Sequence, residues 1–258
     1  MTKLIPALLL PIYPASSNMC LHQTGAAYVF ISPYFTVFRC CAWRRGFKVA
    51  LIVEKPSRAY KDYVSDSSRW AAFTPRMGDI VVSTPPKCGT TWVQSILAML
   101  IMGTPDISAE VMQKWPWIDI IYRDLDTVIA RLEAQDHRRQ VKSHTPLDGL
   151  PYWPDLRYIT VYRHPIDAFF SLRKHMANMS IEKVSGPPMR TPREDFAQFL
   201  DADYDHLSLS SVVSHYLSSL EKEPRGNILR LHYRDMQRDL AGAYAQIADH
   251  VGITHPPD

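Results

Sequence analysis

Cysteine is scarce in this sequence, and its spacing suits neither metal binding nor cross-linking. The 258 residues contain four cysteines, three of which lie within the first 41 residues. The fourth, Cys88, stands alone in the remainder. No CxxC pair or Cys/His ligand spacing occurs, so neither a zinc site nor a disulfide framework is expected. A body with one cysteine fits a reducing cytosol, which predicts a cytoplasmic location.

Uninterrupted apolar runs long enough to cross a membrane are also missing. Lys3 and the run Leu4–Leu10 are only a weak match to a secretory signal. The longer stretch Ala26–Trp43 is broken by a proline and an arginine, and it falls short of the ~20 residues that a membrane helix needs. We therefore interpret residues 1–57 as an N-terminal extension of uncertain structure, and we expect membrane contact only through it.

The body of the chain lacks an excess of positive charge. The whole sequence has a net charge of +3, but residues 1–60 hold seven basic residues and one acidic residue. Residues 61–258 therefore carry a net charge of −3. This distribution removes the main support for nucleic-acid binding, so no nucleic-acid partner is expected. An anion must instead be recognised by a few well-placed groups.

What the body does contain is a series of β-branched, apolar runs separated by helical segments. This alternation indicates βαβ units, so we predict an α/β fold with a parallel sheet for residues 58–258. Ligands of such sheets bind at the carboxyl ends of the strands. Boundaries within residues 104–139 are left open, and residues 185–193 are interpreted as a loop. The predicted strands are Asp79–Thr84, Gln140–His144, Arg157–Tyr162 and Asn227–Tyr233, and the predicted helices are Thr90–Met102, Ile166–Met176 and Met236–Val251.

The segment after the first predicted strand has the properties of a phosphate-binding loop. It leads into a helix, and the unpaired N–H groups at the start of a helix favour an anion. Gly89 lets the backbone approach closely, and Lys87 supplies a positive charge. Thr90 and Thr91 supply hydroxyl donors. An ordinary strand-to-helix turn would explain the glycine, but not the lysine together with both threonines.

Four stretches of the sequence, in order, resemble the motifs of the sulfotransferase family. The loop Thr84–Trp92 is similar to TYPKSGTTW, and Val141–Pro146 is similar to KTHLP. Arg163–Ser171 resembles RNPKDVAVS, and Leu231–Met236 resembles FxYEDM. The amino-acid sequence around these motifs resembles bacterial, glycolipid-type members of the family in particular. The resemblance implies a P-loop-type three-layer fold, with a central mainly parallel sheet flanked by helices.

The resemblance also implies an activity. Family members transfer a sulfuryl group from 3′-phosphoadenosine 5′-phosphosulfate (PAPS) to an acceptor hydroxyl or amine, without a metal ion. By analogy, His144 would be the general base, Lys87 would neutralise charge on the leaving phosphate, and Lys142 would stabilise the sulfuryl oxygens. The acceptor would be a small molecule or a glycolipid.

The same analogy assigns a set of residues to PAPS binding. Thr90 and Thr91 would hold the 5′-phosphate, and Arg163 and Ser171 would hold the 3′-phosphate. Two aromatic residues would flank the adenine, although each could equally be part of the core. The full predicted set is Lys87, Cys88, Gly89, Thr90, Thr91, Trp92, Arg163, Ser171 and Tyr233. Further aromatic residues could line an acceptor pocket, although burial in the core is their commoner role: Trp115, Trp117, Tyr122, Tyr152 and Trp153.

The sequence departs from the family pattern in two ways that bear on activity. Cys88 stands where the loop usually has serine, next to Lys87 and a helix start, which predicts a reactive thiolate. The late RKGxxGDW motif of the family does not occur. We therefore expect a domain that lacks its C-terminal segment and binds the cofactor less tightly.

Two other functions remain open at this point. The first alternative is a catalytically impaired sulfotransferase remnant with an incomplete cofactor site. A more remote alternative is a P-loop kinase or nucleotide triphosphatase. That class has the pattern GxxxxGKS or GxxxxGKT, in which the lysine follows the glycine, whereas here it precedes it.

Overall fold

A computed structural model describes residues 54–105, 115–178, 190–222 and 225–254. Most of the predicted extension, residues 1–57, therefore lies outside the described residues. Glu54 forms an antiparallel bridge with Tyr152 and ion pairs with Lys222 and Arg225. The chain is thus already joined to the body at Glu54, and the boundary at residue 57 stays a prediction.

The described residues form a four-stranded parallel sheet in the order β2-β1-β3-β4. Its strands are β1 (Ile80–Ser83), β2 (Gln140–Ser143), β3 (Arg157–Tyr162) and β4 (Ile228–His232). All four lie within the predicted runs, which are longer by up to one residue at either end. The α/β fold with a parallel sheet is confirmed.

Helices connect and flank these strands, and the described ones begin and end as follows. They are α1 (Thr90–Met102), α2 (Leu125–Glu133), α3 (Pro165–Ala177), α4 (Pro192–Asp201), α5 (Leu209–Glu221), α6 (Tyr233–Arg238) and α7 (Leu240–Val251). Two short 3₁₀ helices cover Ser67–Ala72 and Leu147–Gly149. Within the described ranges, no helix is both long and apolar enough to cross a membrane.

The prediction of one helix over Met236–Val251 was wrong. The chain leaves the helical conformation at Asp239 (φ −140°, ψ 84°), and the carboxylate of Asp239 then caps α7 by accepting a hydrogen bond from the Gly242 N–H. An aspartate at this place favours capping over continuing the helix. The amphipathic pattern runs through the break because α6 and α7 pack against the same core.

Successive residues of the strands pack into cores on the two faces of the sheet. Ile80, Val82 and Ile159 belong to the core that α1 and α7 cover. Val81 and Tyr158 point the other way, into a core that includes α2 and the first 3₁₀ helix. This period-two alternation between two buried faces produces helix, sheet and helix layers. Loops at the carboxyl edge of the sheet are thereby fixed from both sides.

Candidate functional site

The loop between β1 and α1 requires a glycine at position 89. Gly89 has a φ of 117°, and a Cβ atom there would lie 3.1 Å from Cδ2 of Tyr233 and 3.4 Å from Cγ1 of Val161. Lys87 also has a positive φ, 62°, which is uncommon for a residue with a side chain. The loop is therefore held in a conformation that turns its backbone sharply into the first turn of α1.

The two threonines at the start of α1 have different environments. Thr91 is exposed, whereas Thr90 is buried and its hydroxyl is hydrogen-bonded to the hydroxyl of Thr84. Thr90 therefore ties the helix start to the end of β1. Its oxygen can donate to a ligand only when Thr84 supplies the proton of that shared bond.

His144 directly follows β2, and its protonation state can be read from its contacts. Its Nδ1 lies 2.7 Å from the backbone carbonyl of Thr84, which can only accept, so Nδ1 carries the proton. The neutral ring then leaves Nε2 unprotonated. Burial lowers the pKa of His144 well below its usual value, and the charge of Lys142 acts in the same direction. The side chain is thus a neutral histidine with a free Nε2 at pH 7.

Lys142 and Trp117 form the wall beside His144. The Lys142 ammonium lies 4.0 Å from the centre of the Trp117 ring, whose edge meets His144 at a centroid distance of 4.7 Å. Burial lowers the pKa of Lys142 to about 8, against the opposing effect of the Asp119 carboxylate. Asp119 is fully buried and accepts hydrogen bonds from the Trp117 indole and the Ser143 hydroxyl. Asp119 therefore holds the Trp117 indole and the end of β2 in place.

Arg163, which directly follows β3, faces the phosphate loop. One of its terminal nitrogens donates to the carbonyl of Lys87 at 3.3 Å, and its guanidinium lies 4.5 Å from the centre of the Tyr233 ring. Its Nε is buried and has no hydrogen-bond partner among the described residues. Burial lowers the pKa of Lys87, and the charge of Arg163 adds to this effect. Two cations that influence each other's charge, together with a buried unused donor, favour an anionic ligand at this loop.

These groups line one cleft, with a volume of about 380 Å³, at the carboxyl edge of the sheet. Every predicted site residue except Cys88 lines it, and Trp92 and Tyr233 meet there edge to face at 5.4 Å. The described lining includes three cationic side chains and no carboxylate. The lining residues are Pro86, Lys87, Gly89, Thr90, Thr91, Trp92, Trp117, Lys142, His144, Arg163, Ser171, Leu172, His175, His206 and Tyr233.

Sequence reasoning missed three polar residues at the site and overestimated some of the aromatic ones. His175 on α3 and His206, between α4 and α5, line the cleft, and Asp119 supports it. His206 belongs to none of the four motifs, so the sequence does not point to it. Asp119 is a lone acid in an apolar run, and that pattern could have marked Asp119 as functional. Of the five aromatic candidates for an acceptor pocket, only Trp117 is among the described residues lining this cleft.

The predicted reactive thiolate at Cys88 is not supported. The side chain is fully buried behind the loop, and burial raises the pKa of the thiol to about 12. Nearby Arg163 lowers the pKa, but by less than burial raises it. The expectation failed because proximity to a helix start was considered without the desolvation of the sulfur. Cys88 acts here as a small buried side chain.

The fold and the cleft together define an α/β protein with a cationic cleft at the carboxyl edge of its parallel sheet. The sulfotransferase domain family matches residues 77–258. A glycolipid sulfotransferase of Mycobacterium bovis is 32% identical over 231 residues, which cover 77% of this chain and 71% of that protein. Human sulfotransferase 1E1 is 28% identical over 188 residues, which cover 70% and 61% of the two chains.

Solved structures of low sequence identity have the same fold. Mouse sulfotransferase SULT7A1, complexed with PAP, matches with a TM-score of 0.59 at 22% identity, over 74% of this chain and 64% of that one. Retinol dehydratase, in a complex with retinol and PAP, matches with a TM-score of 0.55 at 21% identity, over 70% and 61%. This chain thus spans less than two thirds of either solved chain. It belongs to the sulfotransferase family, and the predicted P-loop-type three-layer fold is confirmed.

Proposed function

We propose that this chain transfers a sulfuryl group from PAPS to an acceptor hydroxyl or amine, with His144 as the general base. The observation that carries the proposal is the hydrogen bond from His144 Nδ1 to the Thr84 carbonyl. It leaves the basic Nε2 as the free ring nitrogen of a residue that lines a cleft with three cations. A neutral base among cations suits the removal of a proton from an acceptor while negative charge develops nearby.

The residues of the cleft fit PAPS on grounds internal to the structure. The unpartnered Nε of Arg163, the backbone at Gly89 and the Lys87 ammonium provide donors for phosphate groups. Trp92 and Tyr233 provide aromatic surfaces for a base. When bound, PAPS supplies the sulfuryl group. Lys142, whose pKa of about 8 leaves it largely charged at pH 7, would neutralise the sulfuryl oxygens.

The acceptor is proposed to be a small molecule or a glycolipid. Support comes from relatives and neighbours whose names include a glycolipid sulfotransferase and a retinol complex. Transfer without a metal ion and a cytoplasmic location stay predictions. Among the described residues no group of three or more His, Cys, Asp or Glu side chains is placed to hold a metal.

The proposal is tested by separating transfer from nucleotide binding in His144→Ala. We expect the rate of sulfuryl transfer to fall by about 100-fold or more, because a general base typically contributes that much. The affinity for 3′,5′-adenosine bisphosphate, measured by titration calorimetry, should change less than about twofold, because no charge is lost. His137→Ala, at the amino end of β2, is the matched control and should behave like the unmodified chain.

The same titration decides between the proposal and its alternatives. An impaired remnant with an incomplete cofactor site would show no binding of the bisphosphate at millimolar concentration. A kinase or nucleotide triphosphatase would instead hydrolyse or transfer phosphate in the presence of magnesium. Either result, or full transfer activity in His144→Ala, would overturn the proposal.

A further inference from the structure

A second histidine lines the cleft opposite the proposed base. The ring of His206 meets the ring of His144 edge to face, with centroids 5.9 Å apart, and both residues line the same space. His206 also meets Tyr63, again edge to face, at 5.7 Å. The His206 ring therefore contacts two aromatic neighbours, and its side chain is 11% exposed.

A buried carboxylate lies beside His206. Oδ2 of Asp62 is 3.7 Å from Nδ1 of His206, which is within the range of an ion pair but beyond a hydrogen bond, and the Asp62 side chain is 5% exposed. Burial by itself would raise the pKa of Asp62, but the nearby His206 and the backbone N–H groups of Val64 and Ser65 outweigh it and hold the pKa below its usual value. Asp62 is thus an ionised carboxylate whose charge attracts the ring proton of His206 to Nδ1.

The burial of Nδ1 limits which atom of His206 can serve a ligand. Nδ1 is buried beside Asp62 and has no hydrogen-bond partner among the described residues, so Nε2 is the ring nitrogen left for a molecule in the cleft. His144 likewise uses Nδ1 for an internal contact and keeps Nε2 free. The centroids of the two rings are 5.9 Å apart, so one molecule with oxygens on neighbouring carbon atoms can contact both histidines at once.

We propose that His206, beside Asp62, binds a second hydroxyl group of the acceptor, next to the hydroxyl that His144 deprotonates. The cleft would then select polyhydroxylated acceptors, such as a sugar head group, over simple alcohols. A buried histidine with an unused nitrogen penalises an acceptor that leaves it unpaired. The inference rests on the proposed sulfuryl transfer, and it adds the residue that discriminates between acceptors.

The test compares two acceptors of equal chain length with PAPS as donor: octyl β-D-glucopyranoside and 1-octanol. The unmodified chain should prefer the glucoside in kcat/KM. In His206→Phe, which keeps a ring but removes both nitrogens, the ratio of the two kcat/KM values should fall by about tenfold, as expected for one lost hydrogen bond. His206→Gln, which retains hydrogen-bonding groups, should recover part of the ratio, and Asp62→Asn should lower it.

The ratio separates recognition from a loss of folding, because both acceptors are measured with the same protein. His137→Phe is the matched control, and its ratio should equal that of the unmodified chain. No preference for the glucoside, an unchanged ratio in His206→Phe, or sulfation of neither alcohol while 3′,5′-adenosine bisphosphate still binds would overturn this inference alone. Loss of bisphosphate binding by the unmodified chain would overturn the proposed function and this inference with it.

Discussion

At the scale of single residues, burial sets the protonation states that the cleft uses. His144 and Lys142 are two residues apart on one strand end, and burial lowers the pKa of both. A lowered pKa favours the role proposed for His144, because the base must be neutral, and its pKa well below the usual value keeps it neutral at pH 7. A lowered pKa works against the role proposed for Lys142, because that side chain must be charged. With a pKa of about 8, Lys142 stays charged only up to mildly alkaline pH.

The pH profile of transfer should therefore be flat near neutrality and fall at alkaline pH. As pH rises through about 8, Lys142 loses its proton, so the rate should decline with a midpoint near that value. No acidic limb is expected at the pH of ~6.5 where a histidine ordinarily titrates, because burial holds the His144 pKa well below its usual value. In Lys142→Arg the alkaline limb should move to higher pH, since a guanidinium stays protonated and Lys87 is then the next proposed charged group to lose its proton.

This profile is measured as kcat/KM against pH, which reports the pKa values of the free protein, for the unmodified chain and for Lys142→Arg, each normalised to its own maximum. Normalisation removes any loss of rate caused by the bulkier side chain. An alkaline limb at the same pH in both proteins would show that Lys142 is not the titrating group.

At the scale of elements, the sequence predicted strands better than helices. The strands could be predicted because β-branched and apolar residues form nearly continuous runs between glycine and proline breaks. Strands of a parallel sheet have such runs because both of their faces are buried. Helices α4 and α5 went unpredicted because serine and charged residues dilute their apolar pattern. The start of α4 nevertheless carries the capping-box signature, Thr191 with Glu194, whereas the box of Ser208 with Ser211 at α5 is evident only from its hydrogen bonds.

The loop between β1 and α1 should not tolerate a side chain at position 89. In Gly89→Ala the new Cβ would press on Tyr233 and Val161, and the φ of 117° is strained for alanine. We expect the free energy of unfolding to fall by about 1–3 kcal/mol. The affinity for 3′,5′-adenosine bisphosphate should also fall, about tenfold or more, because the loop and Tyr233 must both move.

Gly103→Ala is the matched control, since Gly103 also has a positive φ, 64°, but a Cβ there would meet nothing within 4 Å. It should lower stability by about 1 kcal/mol without changing nucleotide affinity. Urea denaturation and titration calorimetry measure the two quantities. Equal nucleotide affinity in both variants would contradict the role given to the loop.

At the scale of the whole molecule, the two ends of the sheet have different roles: the carboxyl ends carry the site, and the amino ends carry a stabilising ion pair. The site residues follow the carboxyl ends of the strands, whereas a buried ion pair joins β1 to β2 at their amino ends. Arg139 and Asp79 are 0% and 2% exposed, and Nε of Arg139 donates to Asp79 Oδ1 at 2.9 Å. Arg139 also donates to the Thr74 carbonyl at 2.9 Å and to Glu133 at 3.0 Å.

Arg139→Met should destabilise the fold without altering the cleft. Removing the guanidinium leaves the buried Asp79 carboxylate without its cation, and we expect a loss of about 3–5 kcal/mol in the free energy of unfolding. The exposed Arg131→Met on α2 should change it by less than about 0.5 kcal/mol. Urea denaturation gives both values. A loss below 1 kcal/mol in Arg139→Met would show that the pair does little for the fold.

The cleft was largely predictable because its parts sit at strand ends, where a parallel sheet brings distant segments together. Lys87, His144, Arg163 and Tyr233 each lie just beyond a predicted strand or at its end, and the structure places all four around one cleft. His206 was not predictable in this way, since it lies between two helices and reaches the cleft through tertiary packing alone. The protonation states were also hidden, because they depend on desolvation and on contacts such as Thr84 with His144.

The strand order β2-β1-β3-β4 also fixes when the cleft can form as the chain folds. Every neighbouring pair is parallel, so each pairing must close a long stretch of chain, which is entropically costly and slow. Tyr233 reaches Gly89 only after β4 has joined β3, although β1 and β2 are complete some 85 residues earlier in the chain. We therefore expect a growing or refolding chain to gain secondary structure before it completes the cleft, so that recovery of ligand binding would mark completion of the sheet.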